Sequence, residues 1–145
     1  MPYATALGML EEPQLLMAGQ NAVGFYDDIA YAEYNGLALD YTEGERLASA
    51  LGTKSVLMLR NHGVLVTGDS VAQAFERLYF LERACQAQVL ALSTGGRLAV
   101  LPESVLGATA KQFQAEAKID GHGRTDLHFA ALKRLLDRED ADYAG

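Results

Sequence analysis

The segment from Ser55 to Gly68 constrains this chain more than any other. Ser55-Val56-Leu57-Met58-Leu59-Arg60 is an apolar run bounded by turn chemistry, which reads as a strand buried on both faces. Asn61-His62-Gly63 is a tight turn, and Val64-Leu65-Val66 is a returning strand closed by Gly68. A buried hairpin of this kind places His62 at its tip.

The rest of the chain supplies mostly helices. Residues 3–12 read as a short helix ending near Pro13, and residues 14–24 give no firm pattern. Gly24 to Tyr34 alternates imperfectly, with Phe25, Ile29 and Tyr31 as strand-like residues, before the Asn35-Gly36 turn. Thr42 and Glu45 have capping-box spacing and open a helix with Leu47, Ala48 and Leu51 as its stripe and Gly52 as its stop. Ser70 and Gln73 repeat that spacing before the longest helix, where Val71, Ala74, Phe75, Leu78, Cys85, Val89 and Leu92 mark one face up to Gly95-Gly96. A further helix is expected from Glu103 to Lys118, with Leu106, Ala110, Phe113 and Ala117 inward. Gly121-His122-Gly123 reads as a flexible connection, Thr125 as the cap of a last helix carrying Phe129, Leu132 and Leu136, and the acidic tail from Asp137 as frayed. Strands first, a hairpin in the middle and helices last suggest a sheet covered by helices, α/β or α+β.

Composition excludes several partners. The chain has 145 residues, half of them apolar, so it can bury one real core. Its net charge is −7 and no Lys/Arg cluster occurs, which argues against nucleic acid and against an anionic membrane surface. A single cysteine, Cys85, cannot form a disulfide within the chain, and no signal-peptide pattern opens it, so the protein reads as cytoplasmic.

His62 is the strongest candidate for chemistry. Imidazole is the commonest protein ligand for zinc, and Gly63 beside it permits close backbone approach. By residue type alone, a hydrogen-bonded turn histidine explains it better than a metal ligand does. The other candidates carry plain structural readings beside the functional ones. His122 and His128 read first as a solvent-facing loop histidine and a helix-packing histidine, with part of a metal site as the lesser alternative. Asp27-Asp28 reads as a solvated turn or an acid/base pair, and Glu82 as a salt bridge, a surface residue or a carboxylate behind a site. Tyr31 and Tyr34 read as strand packing, Arg60 and Asn61 as turn residues or orienters of His62, and Cys85 as a small core residue.

The wider sequence carries a resemblance. Leu57-Met58-Leu59-Arg60-Asn61-His62-Gly63-Val64-Leu65-Val66-Thr67-Gly68 is similar to the signature hairpin of the class II aldolase/adducin family. Ser70, Ala74-Phe75, Tyr79 and Leu81-Glu82-Arg83-Ala84-Cys85-Gln86 resemble its long helix. Pro2-Tyr3-Ala4-Thr5-Ala6-Leu7 is similar to the stretch after the family's His-x-His motif, and His128 to Asp137 to the closing helix of bacterial members.

The resemblance implies that residues 1–145 form the C-terminal portion of one such domain. It implies a three-layer αβα fold around a mostly antiparallel sheet, incomplete at its N-terminal side, and assembly into a homotetramer. It implies a divalent metal, zinc, held by three histidines, of which His62 matches the third; the metal polarises a substrate oxygen in carbon–carbon cleavage, epimerisation or decarboxylation of a small sugar or hydroxy-acid (phosphate). The sequence departs from the family in having no His-x-His, no upstream acid and no Gly/Ser-rich phosphate segment. That leaves His62 as a metal position, no catalytic residue and no cofactor-binding segment. A catalytic zinc needs about three protein ligands, so the chain alone is expected to be inactive. An adducin-like assembly module without chemistry, or an inactive fragment, is the alternative.

Overall fold

The computed structural model describes residues 1–37, 41–119, 124–139 and 142. In chain order these form α1 (Pro2–Gly8), α2 (Gln20–Val23), β1 (Ile29–Ala32), α3 (Tyr41–Leu51), β2 (Val56–Leu59), β3 (Gly63–Val66), α4 (Val71–Ser93), α5 (Glu103–Ile119) and α6 (Arg124–Glu139). The class is α/β.

The three strands lie in the order β1-β2-β3. β2 pairs antiparallel with β3, Leu59 opposite Gly63, as the hairpin pattern requires. β1 pairs parallel with β2, Ile29 opposite Val56. The sheet is therefore mixed, and the expectation of a mostly antiparallel sheet is corrected. The cause is connectivity: α3 lies between β1 and β2, and a helical crossover returns the chain in the same direction. α3 packs back on both strands.

β2 is the centre of the molecule. Val56 and Met58 join Ala4, Leu7, Leu15, Ala22, Phe25, Leu81, Ala84 and Cys85 in one core cluster. Leu57 alternates to the opposite face and is equally buried. This is the two-sided burial expected of the run Val56–Leu59.

α4 provides the other wall. Its N-cap is Ser70, whose hydroxyl accepts from the Gln73 N–H at 3.2 Å. Gln73 completes the reciprocal arm one residue further back, accepting from the Asp69 N–H at 2.6 Å. The buried face, however, is Leu81, Ala84, Cys85 and Gln88. Val71, Phe75 and Leu92 of the expected stripe are exposed, Val71 to 77%. A helix of this length outruns the three-stranded sheet, so only its middle meets the core.

Several boundaries also differ. α1 stops at Gly8 rather than residue 12, and Gly24 to Asp27 form turns before a strand of only four residues. Asp27 sits at φ 56°, which breaks the extended run. Thr42 falls inside the first turn of α3 instead of capping it, and Ala48 is exposed. Thr125 likewise lies inside α6, where its hydroxyl bonds to Glu76 of α4. Leu106 is buried as expected of α5. His122 and its flanking glycines, the side chain of Ala117 and most of the tail lie outside the described residues.

Candidate functional site

The loop Arg60-Asn61-His62 joins β2 to β3, and three features fix it. Asn61 adopts φ 56°, a left-handed conformation that asparagine tolerates better than most residues. The His62 N–H donates to the Leu59 carbonyl at 3.2 Å, closing the turn. The Asn61 N–H donates to the Gly8 carbonyl at 3.0 Å, tying the loop to the end of α1.

Around the loop, Arg60 is engaged on all sides. Its N–H donates to the Ala32 carbonyl at 2.9 Å, and its guanidinium reaches the Glu11 carbonyl at 3.0 Å and the Glu33 carboxylate at 3.5 Å. Arg60 and Asn61 thus hold the turn, the structural half of their two readings.

His62 itself is exposed. Its ring stacks on Tyr34 with centroids 6.4 Å apart and planes 13° apart, within the range of offset aromatic pairs. Tyr34 therefore lies beyond β1 against the candidate residue and is not strand packing. No hydrogen bond engages the His62 ring nitrogens among the described residues. A cleft beside the ring is bounded by Glu33, Tyr34, Arg46, Leu59 and Arg60. Arg46 is clamped by Glu43 at 2.6 Å, and that carboxylate raises the guanidinium pKa further. The cleft thus presents two paired cations, two carboxylates, a phenol and an imidazole.

That set does not fit a complete metal centre. Among the described residues no group of three His, Cys, Asp or Glu side chains is placed to hold an ion. His62 is a rigidly placed single donor.

The other candidates are drawn into the framework. Asp28 accepts from the Ser55 N–H at 2.8 Å and pairs with its hydroxyl, and Asp27 pairs with Lys54 at 2.7 Å. Together they join the start of β1 to the start of β2. The Tyr31 hydroxyl accepts from the Leu15 N–H at 3.1 Å, and burial pushes its pKa up. Cys85 is fully buried in the core, and burial, helped by the charge of Glu82, pushes its thiol up to about 12. His128 packs between α6 and α4, with Tyr79 edge-on at 5.1 Å and Glu76 at 3.7 Å. It lies far from the hairpin loop in chain contacts, on the helix that packs only on α4 among the described residues.

Two residues of α4 carry roles that their types alone did not reveal. Glu82 receives the Tyr3 N–H and the Ala4 N–H, each at 2.9 Å, one on each carboxylate oxygen. It is the missing N-cap of α1, whose own N-cap residue, Met1, offers no side-chain acceptor. The signal was in α1: a helix opening Met1-Pro2-Tyr3 must find its acceptor elsewhere. Gln88, buried among apolar neighbours, accepts from the Leu16 N–H at 2.7 Å and donates to the Gln14 carbonyl at 2.8 Å.

Comparison with known proteins places this arrangement. Residues 1–89 match the family described as Class II Aldolase and Adducin N-terminal domain. A protein of Caulobacter vibrioides that bears a class 2 aldolase name is 38% identical over 131 residues, covering 90% of this chain and 49% of its own. Human beta-adducin is 41% identical over 83 residues, covering 57% of this chain and 11% of its own. Among solved structures, an aldolase II superfamily protein from Pseudomonas syringae superposes with a TM-score of 0.87 at 37% identity, over all of this chain and 57% of that one. L-fuculose 1-phosphate aldolase from Glaciozyma antarctica superposes at 0.73 with 27% identity, over 94% of this chain and 50% of that one. The chain spans about half the length of the bacterial relatives it matches. Its hairpin, long helix and α/β class were the features that pointed to one family, and the chain belongs to it: the class II aldolase/adducin family.

Proposed function

We propose that this chain is part of a class II aldolase-type lyase or epimerase acting on a small sugar or hydroxy-acid (phosphate) substrate, and that His62 is the one metal-ligand position it contributes. The observation that carries this reading is the state of His62: an exposed imidazole with free nitrogens, held at a hairpin tip by backbone bonds on both sides. A merely structural turn histidine would spend a ring nitrogen on the turn. The similarity to L-fuculose 1-phosphate aldolase supports the substrate class. On this reading the sheet is completed into a three-layer αβα domain, the functional unit is a homotetramer, the metal is zinc, and its remaining donors come from outside these residues.

The second reading, an adducin-like assembly module without chemistry, is favoured by the similarity to beta-adducin and by the lack of a three-donor group among the described residues.

A zinc titration followed on the His62 ring signals by NMR separates the two. A single protein donor gives weak binding, so we expect a shift of the His62 resonances with an affinity on the order of millimolar, abolished in His62→Ala, and no retro-aldol turnover by the chain alone. His62 signals that stay fixed at saturating zinc overturn the metal position and leave the assembly module.

A further inference from the structure

The long helix α4 and the hairpin loop of His62 are linked through α1. α1 has seven residues, too few to hold a helix by itself. Its placement therefore comes from what grips it. At its start, both oxygens of Glu82 bind the Tyr3 and Ala4 N–H groups at 2.9 Å. Along its middle, Ala4 and Leu7 are fully buried, and the Thr5 hydroxyl lies 3.7 Å from where a Cβ on Gly63 would stand. At its end, the Gly8 carbonyl accepts from the Asn61 N–H at 3.0 Å. The Gly8 backbone also runs so close to β2 that a Cβ there would meet the Leu59 carbonyl at 3.4 Å. His62 is flanked by the two loop residues, Asn61 and Gly63, that α1 touches.

We propose that Glu82 is a positioning residue for His62: its carboxylate sets α1 on α4, and α1 carries that setting to the loop that holds the imidazole. Glu82 is itself only half-buried and accepts from N–H groups with both oxygens, so it is no free acid or base of the cleft. A charge-assisted bidentate cap is among the stronger backbone contacts available, which suits a residue that must fix a short strut. Gln88, further along α4, grips residues 14–16 instead, and among the described residues its hydrogen bonds go to neither α1 nor the loop. The two clamps are thus separable. The importance of positioning His62 rests on the reading above; the coupling itself does not.

The test is amide hydrogen exchange and His62 ring NMR on the intact chain, comparing Glu82→Ala, Glu82→Gln and Gln88→Ala. Glu82→Ala should speed exchange at Tyr3, Ala4 and Asn61 about tenfold relative to the global opening rate and shift the His62 ring signals. Glu82→Gln keeps one acceptor and should restore part of both effects, and it serves where Glu82→Ala fails to fold. Gln88→Ala should destabilise the fold while leaving Asn61 and His62 unchanged after that correction. Faster exchange confined to Tyr3 and Ala4, with Asn61 and His62 as in the unaltered chain, overturns the proposal. So does a Gln88→Ala variant that moves Asn61 and His62 equally. Zinc-silent His62 signals in the unaltered chain, with the Glu82 coupling intact, sink the metal reading and leave the coupling standing.

Discussion

Cys85 and Glu82 sit one turn apart on α4, and the carboxylate bears on the thiol. Both carboxylate oxygens of Glu82 accept backbone N–H bonds from α1. The thiol, with no exposed surface, gains nothing from ionising in the core, and its pKa rises to about 12, first through burial and then through the nearby carboxylate. In the unfolded chain a thiol ionises near 8.5. Between these values the unfolded state releases a proton that the folded state keeps. The contribution is therefore fully present below about pH 8.5 and is lost as the pH climbs toward the folded value, at roughly 1.4 kcal/mol per pH unit for this one proton. Urea midpoints at pH 8 and pH 10 check it. The unaltered chain should lose more stability across that interval than Cys85→Ala does. Tyrosines titrate in both and cancel, so equal losses refute the account.

At the level of elements, α3 contrasts with β2. β2 is buried from Val56 to Met58 and was legible from the sequence because an apolar run between turn residues has few other uses. α3 has no fully buried residue. Its packing on β1 and β2 is partial, so intrinsic propensity and the Glu43–Arg46 pair weigh more in its stability. Gly44 lies within it, and a Cβ there would meet nothing within 4 Å. Gly44→Ala should therefore raise stability by about 1 kcal/mol in a denaturant titration, with unchanged slope. A destabilised variant would show that Gly44 needs open space. The same contrast explains what the sequence could and could not reveal. Helices and the hairpin announce themselves by period, by the Ser70/Gln73 cap and by Asn61-His62-Gly63. The direction of β1 depends on a crossover that no local pattern records, so the sheet became mixed rather than antiparallel. The inward face of α4 was misjudged because Val71 and Phe75 keep the helical period beyond the end of the sheet they were expected to cover. At the site, His62 was legible as a candidate only through its hairpin's resemblance to the family, because by type alone a turn role outweighs a metal role. Its stacking partner Tyr34 and the clamp at Glu82 were not, because both arise from chain segments that meet only in the fold.

For the whole molecule, the distribution of apolar surface matters most. Among the described residues β1 and β3 each pair with β2 alone, so both edges of the sheet have no strand partner. An open groove of about 410 Å³ runs between α1 and α4, lined by Met1, Tyr3, Phe75, Leu78 and Tyr79 with Arg83 at its rim. Val71, at the start of α4, is 77% exposed. Contiguous apolar surface of this kind drives association, and an uncovered sheet edge adds a template for it. The net charge of −7 works against association, but over a distance that salt shortens. Salt should therefore favour assembly here, the reverse of what an interface held by surface ion pairs would show. Sedimentation equilibrium at about 50 mM and about 500 mM salt, on the order of a threefold change in Debye length, is the measurement. The expected result is a mass above the 15.6 kDa of one chain, rising with concentration and with salt. Val71→Glu should lower it without loss of fold, because an acid in the first turn of α4 suits the helix dipole. A monomer at both salt levels, unfolding in one sharp cooperative transition, would show that the groove and the strand edge are tolerated as they stand.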